Sequence, residues 1–469
     1  MLWSFGEQLL RRGSGVVIQI FLARLLAPED YGLVAMMSVF IALGGSLMDS
    51  GLSQALIRLP DAKQVDFNTA FYSNICFGVL SYALLFLTAP LVANFYAEPR
   101  LTALIRVASI SILISSLRTV QEAQLTRELN FRLKVLINLP SGIIAGLLAI
   151  GLALKGFGVW SLVAQSILTA LLSTLLLWHF QKWRPTAVVS GSAFEAMFAF
   201  GYKLFLSGFL DTVFNNLYVV VIAKVFSGPV AGIYYFATRL ADLVIQNLYT
   251  SIQAVTYPAL ATVQNDDKRL KSGFRKTIVL TTFALFPCML LLAALAHPFI
   301  VFFLDSKWLP AATMLPLLCL AKTLYPVHAV NLAMLKVKGR SDLFLGLEIF
   351  KKLMITAVLF FSFRLGIQGI LYGQILCSLL AFAPNSYFSS SLLGYTLKEQ
   401  ASDVLPNLAL AMLVSIACYF ASAQLDWAPF YKLVALGGGA LITYAATAYF
   451  LSFQAVAIIA SLKSKRIAS

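Results

Sequence analysis

Charge is scarce in this sequence, and acidic charge scarcest. Only 12% of the 469 residues are Asp, Glu, Lys or Arg, with 20 acids against 35 bases, where soluble domains carry about a quarter. That excludes a solvated or disordered chain. Histidine is nearly absent: His179, His297 and His328 stand apart, and no H-E-x-x-H, G-x-S-x-G or P-loop spacing occurs. No metal centre, cofactor or enzymatic activity is therefore expected. Cys76, Cys288, Cys319, Cys377 and Cys418 lie scattered in apolar runs without a C-x-x-C pair, and read as small core residues. Long polar stretches are missing too, since the longest connections, 181–194 and 393–403, run 14 and 11 residues. No soluble domain fits between the apolar runs.

What fills the chain is apolar: 60% of residues are hydrophobic, against ~45–50% in globular domains. Apolar runs of about 20 residues fall at 3–26, 32–58, 68–93, 101–126, 132–154, 158–180, 195–224, 229–259, 274–304, 311–336, 342–363, 367–392, 404–423 and 430–453. The fold class expected is an all-α polytopic membrane protein with about 14 transmembrane helices. Glu7, Arg11 and Arg12 interrupt the first run, so it does not read as a cleavable signal.

Basic residues set the orientation. With the N-terminus inside, the inner loops and tail hold Arg58, Lys63, Arg127, Arg132, Lys134, Lys182, Arg184, Lys268, Arg269, Lys271, Arg275, Lys276, Lys336, Lys338, Arg340, Lys398, Lys463, Lys465 and Arg466. The outer connections hold Arg100, Lys155, Lys224, Lys307 and Arg364. The positive-inside rule then predicts both termini in the cytoplasm. The net charge of +15 is topological and does not point to nucleic acid.

An internal repeat runs through the chain. Ala23-Arg24-Leu25-Leu26 followed by Gly32-Leu33 aligns, at an offset of 200, with Ala223-Lys224-Val225-Phe226 followed by Gly232-Ile233. Charged helices recur at positions 1, 2 and 4 of the first half and 7, 8 and 10 of the second. This predicts two parallel six-helix bundles, an N-terminal lobe 1–193 and a C-terminal lobe 194–393, around a central cavity, with two helices and a tail appended at 394–469.

Several spans carry polar stripes that lipid does not accept. The first aligns Ser4, Gln8, Arg11, Gly15 and Gln19, with Glu7 in pairing reach of Arg11. Segment 7 presents Lys203, Ser207, Asp211 and Asn215, and segment 8 presents Arg239, Asp242, Gln246 and Gln253. Segment 2 adds Asp49, segment 4 adds Arg118, and segment 10 adds Lys322. An Arg at mid-bilayer costs at least ~2.5 kcal/mol, so such stripes face water or protein. Arg11, Arg12, Arg24, Arg118, Lys203 and Arg239 outnumber Asp49, Asp211 and Asp242, which makes a basic cavity suited to phosphate. The six cations are candidate substrate-binding residues and the three carboxylates candidate coupling or gating residues. The offset of 200 also sets Asp211 opposite Arg11, as a latch or a permanent pair. Glu348 with Lys351 and Lys352 reads instead as a structural ion pair.

The run Ala23-Arg-Leu-Leu-Ala-Pro-Glu-Asp-Tyr-Gly32, continued by Asp49-Ser-Gly-Leu52, resembles bacterial Wzx-type polysaccharide flippases, the polysaccharide-transport branch of the multidrug/oligosaccharidyl-lipid/polysaccharide exporter superfamily. Gln124 with Arg127-Glu-Leu-Asn-Phe131, Tyr234 with Arg239, Tyr257-Pro258, Gln264 and Asp266 extend the resemblance over about the whole chain. It implies a transporter that moves undecaprenyl-pyrophosphate-linked oligosaccharide from the cytoplasmic to the periplasmic leaflet, for O-antigen, capsule or exopolysaccharide. It implies a multi-pass inner-membrane location and partners limited to that glycan, membrane lipids and the polysaccharide polymerase and export machinery, with a monomer as the working unit. Two alternatives remain. A membrane polymerase or ligase would need a large outer loop, and the outer loops here have under ten residues; a cation-coupled drug exporter of the same superfamily would need a cavity dominated by carboxylates.

Overall fold

The computed structural model describes residues 2–59, 61–261, 263 and 265–467, while the side chains of 2–12, 14, 341, 461–467 and several in 247–261 lie outside that description. All fourteen expected spans are helical. They are α1 (Leu2–Leu25), α2 (Pro28–Asp49, resuming Leu52–Arg58), α3 (Gln64–Tyr96) and α4 (Arg100–Ala108, Ile110–Ser116 and Thr119–Arg127). Next come α5 (Phe131–Leu154), α6 (Val159–Phe180), α7 (Gly191–Asn215, resuming Leu217–Val225) and α8 (Gly228–Ala261). Then follow α9 (Asp267–Ala294, resuming Ala296–Phe303), α10 (Ala311–Thr323, resuming Tyr325–Val337), α11 (Ser341–Ser362) and α12 (Gly366–Leu393). The appended pair is α13 (Leu397–Gln424) and α14 (Pro429–Tyr431, a wide-turn stretch Lys432–Gly437, and Gly438–Phe450). A further helix, α15 (Gln454–Ile467), occupies what reads from sequence as a plain tail.

By length and composition, nine helices among the described residues can cross a membrane, or ten when the two arms of α4, bent by 45°, count as one span. Local signals explain where helices start. Asn130, Ser190, Asp266 and Thr396 each accept a hydrogen bond from the backbone N–H three residues on, satisfying donors that a first turn leaves unpaired. Pro28 opens α2 at the position where a missing N–H costs nothing.

The chain divides into two compact units, Met1–Tyr235 and Phe236–Ser469. In the first, α5 packs on α6 and α1, α3 on α2 and α4, and α7 on α2 and α3, around Leu52, Leu56, Phe67, Phe71, Val120 and Met197. In the second, α9 is central, packing on α13, α10 and α15, while α12 packs on α10 and α11. Its core gathers Phe274, Ile278, Phe286, Val327, Met334 and Tyr444.

The repeat read from sequence becomes physical within the first unit. A methyl group added at Gly32 would lie 2.0 Å from the Gly228 carbonyl oxygen, and one at Gly232 would lie 1.9 Å from the Pro28 carbonyl oxygen. Positions 28 and 228, like 32 and 232, are repeat partners. The contact is therefore reciprocal, as about a two-fold axis, and both glycines are required because any side chain would push the backbones apart. Asp30 braces the turn by accepting from Ala27 N and Val159 N at 3.0 Å each, and Arg100 bridges Glu29 and Glu98.

Candidate functional site

Several charged and amide side chains inside the spans stand where helices are interrupted. Asp49 ends the first arm of α2, before Ser50 and Gly51 turn with φ of 45° and 74°. Arg118 stands at the bend of α4, Asn215 and Asn216 at the break of α7, and Lys322 one residue before the first arm of α10 ends. An interrupted helix leaves amides and carbonyls unpaired, and polar side chains near the break compensate. Ser53 donates to Asp49 Oδ1, and Asn216 Nδ2 donates to Thr212 O at 2.7 Å.

Most of the residues singled out from sequence fall among the described ones. Arg118 Nη1 lies 2.9 Å from Glu122 Oε1 and donates to Ser173 Oγ at 2.8 Å, tying α4 to α6 with 21% of its side chain exposed. Asp49 is half-buried. Lys203 and Asp211 are exposed on α7, Arg239 is exposed on α8, and Arg24 is exposed in the last turn of α1. Lys203 Nζ stands 5.9 Å from the Tyr202 ring centroid. Asp242 on α8 is paired with Lys322 on α10. The side chains of Arg11 and Arg12, and with them the Arg11–Asp211 pairing, lie outside the described residues. Among the described residues no group of three or more His, Cys, Asp or Glu is gathered to hold a metal ion.

Two constellations escape a reading of the sequence. The first is a polar ladder between α9 and α13. Lys271 Nζ meets Glu399 at 2.9 Å, Arg275 donates twice to the Asp403 carboxylate at 2.7 Å, and Asn407 Nδ2 donates to Thr282 Oγ1 at 3.0 Å. Tyr395 donates to Asp403 Oδ2 at 2.8 Å, so the Asp403 carboxylate, fully buried, has three donors. Positions 399, 403 and 407 climb one helix face in steps of four; that period was visible, but Arg275 and its neighbours count as loop charge until α9 is seen to begin at Asp267. The second is a buried network in which Asn331 donates to Gln400 Oε1 at 2.9 Å, Ser386 donates to the same oxygen at 3.0 Å, and Gln400 donates to Tyr395 O at 3.1 Å. It joins α10, α12 and α13.

Between α13 and α14 lies an apolar groove of about 420 Å³, lined by Leu413, Ala417, Ala421, Leu436, Gly439 and Thr443 among others. The wide turn Lys432–Gly437 runs along it, and Lys432 Nζ donates to Ser422 O at 2.8 Å, joining the two helices.

The chain is similar to several known proteins. It is 27% identical to the succinoglycan biosynthesis transport protein ExoT of Rhizobium meliloti (strain 1021), over 72% of this chain and 68% of that one. It is 26% identical to the lipopolysaccharide biosynthesis protein WzxC of Escherichia coli (strain K12), over 81% and 77%. Among solved structures, the lipid II flippase MurJ in an inward closed conformation superposes with a TM-score of 0.72 at 15% identity, covering 95% of this chain and 98% of that one. An inward-facing multidrug transporter of the MATE family gives 0.63 at 15% identity, covering 83% and 96%. The fold is thus that of these exporters, and the family model described as "polysaccharide biosynthesis protein" matches residues 21–313. This chain belongs to the polysaccharide biosynthesis protein family.

Proposed function

We infer that the protein is a flippase that carries an oligosaccharide linked to undecaprenyl pyrophosphate from the cytoplasmic to the periplasmic leaflet of a bacterial inner membrane. The observation that carries this reading is the exposure of Lys203, Asp211 and Arg239 within the spans α7 and α8. Charges on a membrane helix need water or a charged ligand, and a basic guanidinium offers pyrophosphate oxygens two parallel hydrogen bonds. In this reading Arg11, Arg12, Arg24, Arg118, Lys203 and Arg239 bind the headgroup, and Asp49, Asp211 and Asp242 gate or couple. The division this reading takes is an N-terminal lobe 1–193, a C-terminal lobe 194–393 and the appended helices in 394–469. The polyprenyl tail stays in lipid between the halves, and the apolar groove between α13 and α14 offers it packing contacts without a hydrophobic gain, because lipid is equally apolar.

Alternating access gives the reciprocal contact of Gly32 with Gly228 and of Gly232 with Pro28 a role. The positive-inside assignment puts these turns on the periplasmic side and both termini in the cytoplasm, so the contact closes the outer end and must part when glycan leaves. The test is the surface polysaccharide and lipid-linked glycan of a deletion strain complemented with the wild type or with Arg239→Ala. Export restored by the wild type and not by the variant, at equal membrane insertion, supports the reading. Export unaffected by deletion refutes it.

A further inference from the structure

The second unit carries two ion pairs and a tyrosine that phosphate binding leaves unused. Asp242 on α8 pairs with Lys322 on α10, and Glu348 pairs with Lys351, three residues further along α11. Tyr325, just past the break of α10, lies within electrostatic reach of both Asp242 and Glu348. At 1.5 Å per residue, Asp242, Lys322 and Lys351 stand about 16 to 21 Å from the helix ends that the positive-inside assignment makes periplasmic, near the middle of a hydrocarbon core of ~30 Å.

That depth makes their exposure informative. The side chains of Asp242 and Lys322 are 34% and 22% exposed, and Tyr325 is 42% exposed. Asp403, fully buried beneath Arg275 and Tyr395, shows what a closed structural pair looks like in this protein. Half-exposed charge at mid-bilayer instead requires water or a polar ligand beside it. The bond within a pair engages one of an ammonium's three N–H groups and one of a carboxylate's roughly four lone-pair sites. Each pair thus sets further donors and acceptors side by side.

The sign of this array selects its ligand. Two acids against two bases leave no net charge, so an anion gains little here. Adjacent donors and acceptors beside an exposed aromatic ring are the complement of a sugar, whose hydroxyls each donate and accept and whose ring carbons present an apolar face. Arg239 sets the register. It precedes Asp242 by three residues on one face of α8, ~4.5 Å along the axis, so a pyrophosphate held by Arg239 brings the glycan it carries against Asp242, Lys322 and Tyr325.

We propose that the pairs Asp242–Lys322 and Glu348–Lys351, together with Tyr325, form a sugar-binding subsite that takes the hydroxyls and ring face of an uncharged sugar of the lipid-linked glycan. The proposal rests on the flippase reading and divides the substrate between two chemistries. Arg239 holds phosphate, and the balanced pairs hold glycan. Glu348–Lys351, which reads from sequence as a structural pair, is thereby a determinant of which glycan is carried.

The test compares two lipids on purified protein in nanodiscs: undecaprenyl pyrophosphate, and the same lipid carrying the repeat unit, isolated from a host strain unable to polymerise its glycan. Wild type should bind the sugar-bearing lipid about tenfold tighter or more, the worth of one good hydrogen bond to a charged group. Glu348→Leu with Lys351→Met removes one pair as a unit and strands no charge. It should lose most of that preference and keep its affinity for undecaprenyl pyrophosphate, and Tyr325→Leu, which keeps the bulk of the side chain, should do the same. Arg239→Ala should weaken both lipids. Equal losses for the two lipids in the double variant and in Tyr325→Leu would mark these groups as structural and overturn the subsite, as would no loss for either lipid. Wild type that binds both lipids alike overturns the subsite and leaves the flippase reading standing, whereas wild type that binds neither removes that reading as well.

Discussion

Arg239 and Asp403 illustrate two fates of a charge in a membrane protein. Arg239 is exposed on a span, and its replacement by Ala should abolish export at unchanged insertion, with Lys rescuing only partly because an ammonium lacks the two-pronged geometry. Quantified surface glycan at matched expression checks this, and wild-type levels from Arg239→Ala would end the case for a cationic site. Asp403 is buried under Arg275 and Tyr395. Asp403→Ala strands a guanidinium whose own side chain is 44% exposed, so the loss should sit near ~3 kcal/mol, the low end for a broken buried pair. Arg275→Met with Asp403→Leu should recover most of it, read as thermal unfolding in detergent. An equally unstable double variant would show that the pair itself, and not the stranded charge, matters.

Glu399 adds a pH dependence at the same scale. Its hydrogen bond from Lys271 holds the carboxyl below its ordinary value of 4.5. A folded-state pKa below the unfolded one stabilises the protein above the unfolded value, and the contribution disappears as pH falls through the folded one. Unfolding temperature should therefore drop on acidification below about pH 4.5, and less steeply in Glu399→Gln. Identical acid profiles for the two proteins would contradict the assignment.

At the scale of elements, the glycine contact between the two repeat turns makes the clearest demand. Gly232→Leu puts a side chain where even a methyl would stand 1.9 Å from Pro28 O, so the turns must separate. Tyr31, only 2% exposed, should then become accessible: Tyr31→Cys should react slowly with an impermeant thiol reagent in the parent and severalfold faster with Gly232→Leu added. Equal rates would show that the contact does not hold this end closed. The same turns show how much was legible. Existence and order of all fourteen helices follow from apolar runs alone, and a short repeat of Arg24-to-Gly32 with Lys224-to-Gly232 marks two like turns, though not that they meet. The interruptions at Ser50, Leu117, Asn216 and Leu324 were not legible, because a broken membrane helix keeps the same apolar composition on both arms and differs only in a few dihedral angles. Arg118, Asp49 and Lys322 stand out in the sequence as misplaced charges, and only the fold sets them at those breaks. The α9–α13 ladder was hidden for another reason, since its partners are about 128 residues apart and each taken alone reads as ordinary inner-loop charge.

For the whole molecule, orientation and transport are the claims at stake. Reporter fusions at Lys268 and Asp305 should report cytoplasm and periplasm respectively, and a periplasmic signal at Lys268 would invert the topology. The central claim is directional movement of a lipid-linked glycan, and the leaflet in which that glycan resides measures it directly. In spheroplasts of a strain unable to polymerise its glycan, an impermeant glycosidase added outside reaches only the outer leaflet. Cells with this protein should lose most of their lipid-linked oligosaccharide to the enzyme. Cells lacking it, or carrying Arg239→Ala, should keep theirs protected until the membrane is opened. The same accessible fraction with and without the protein would contradict the account.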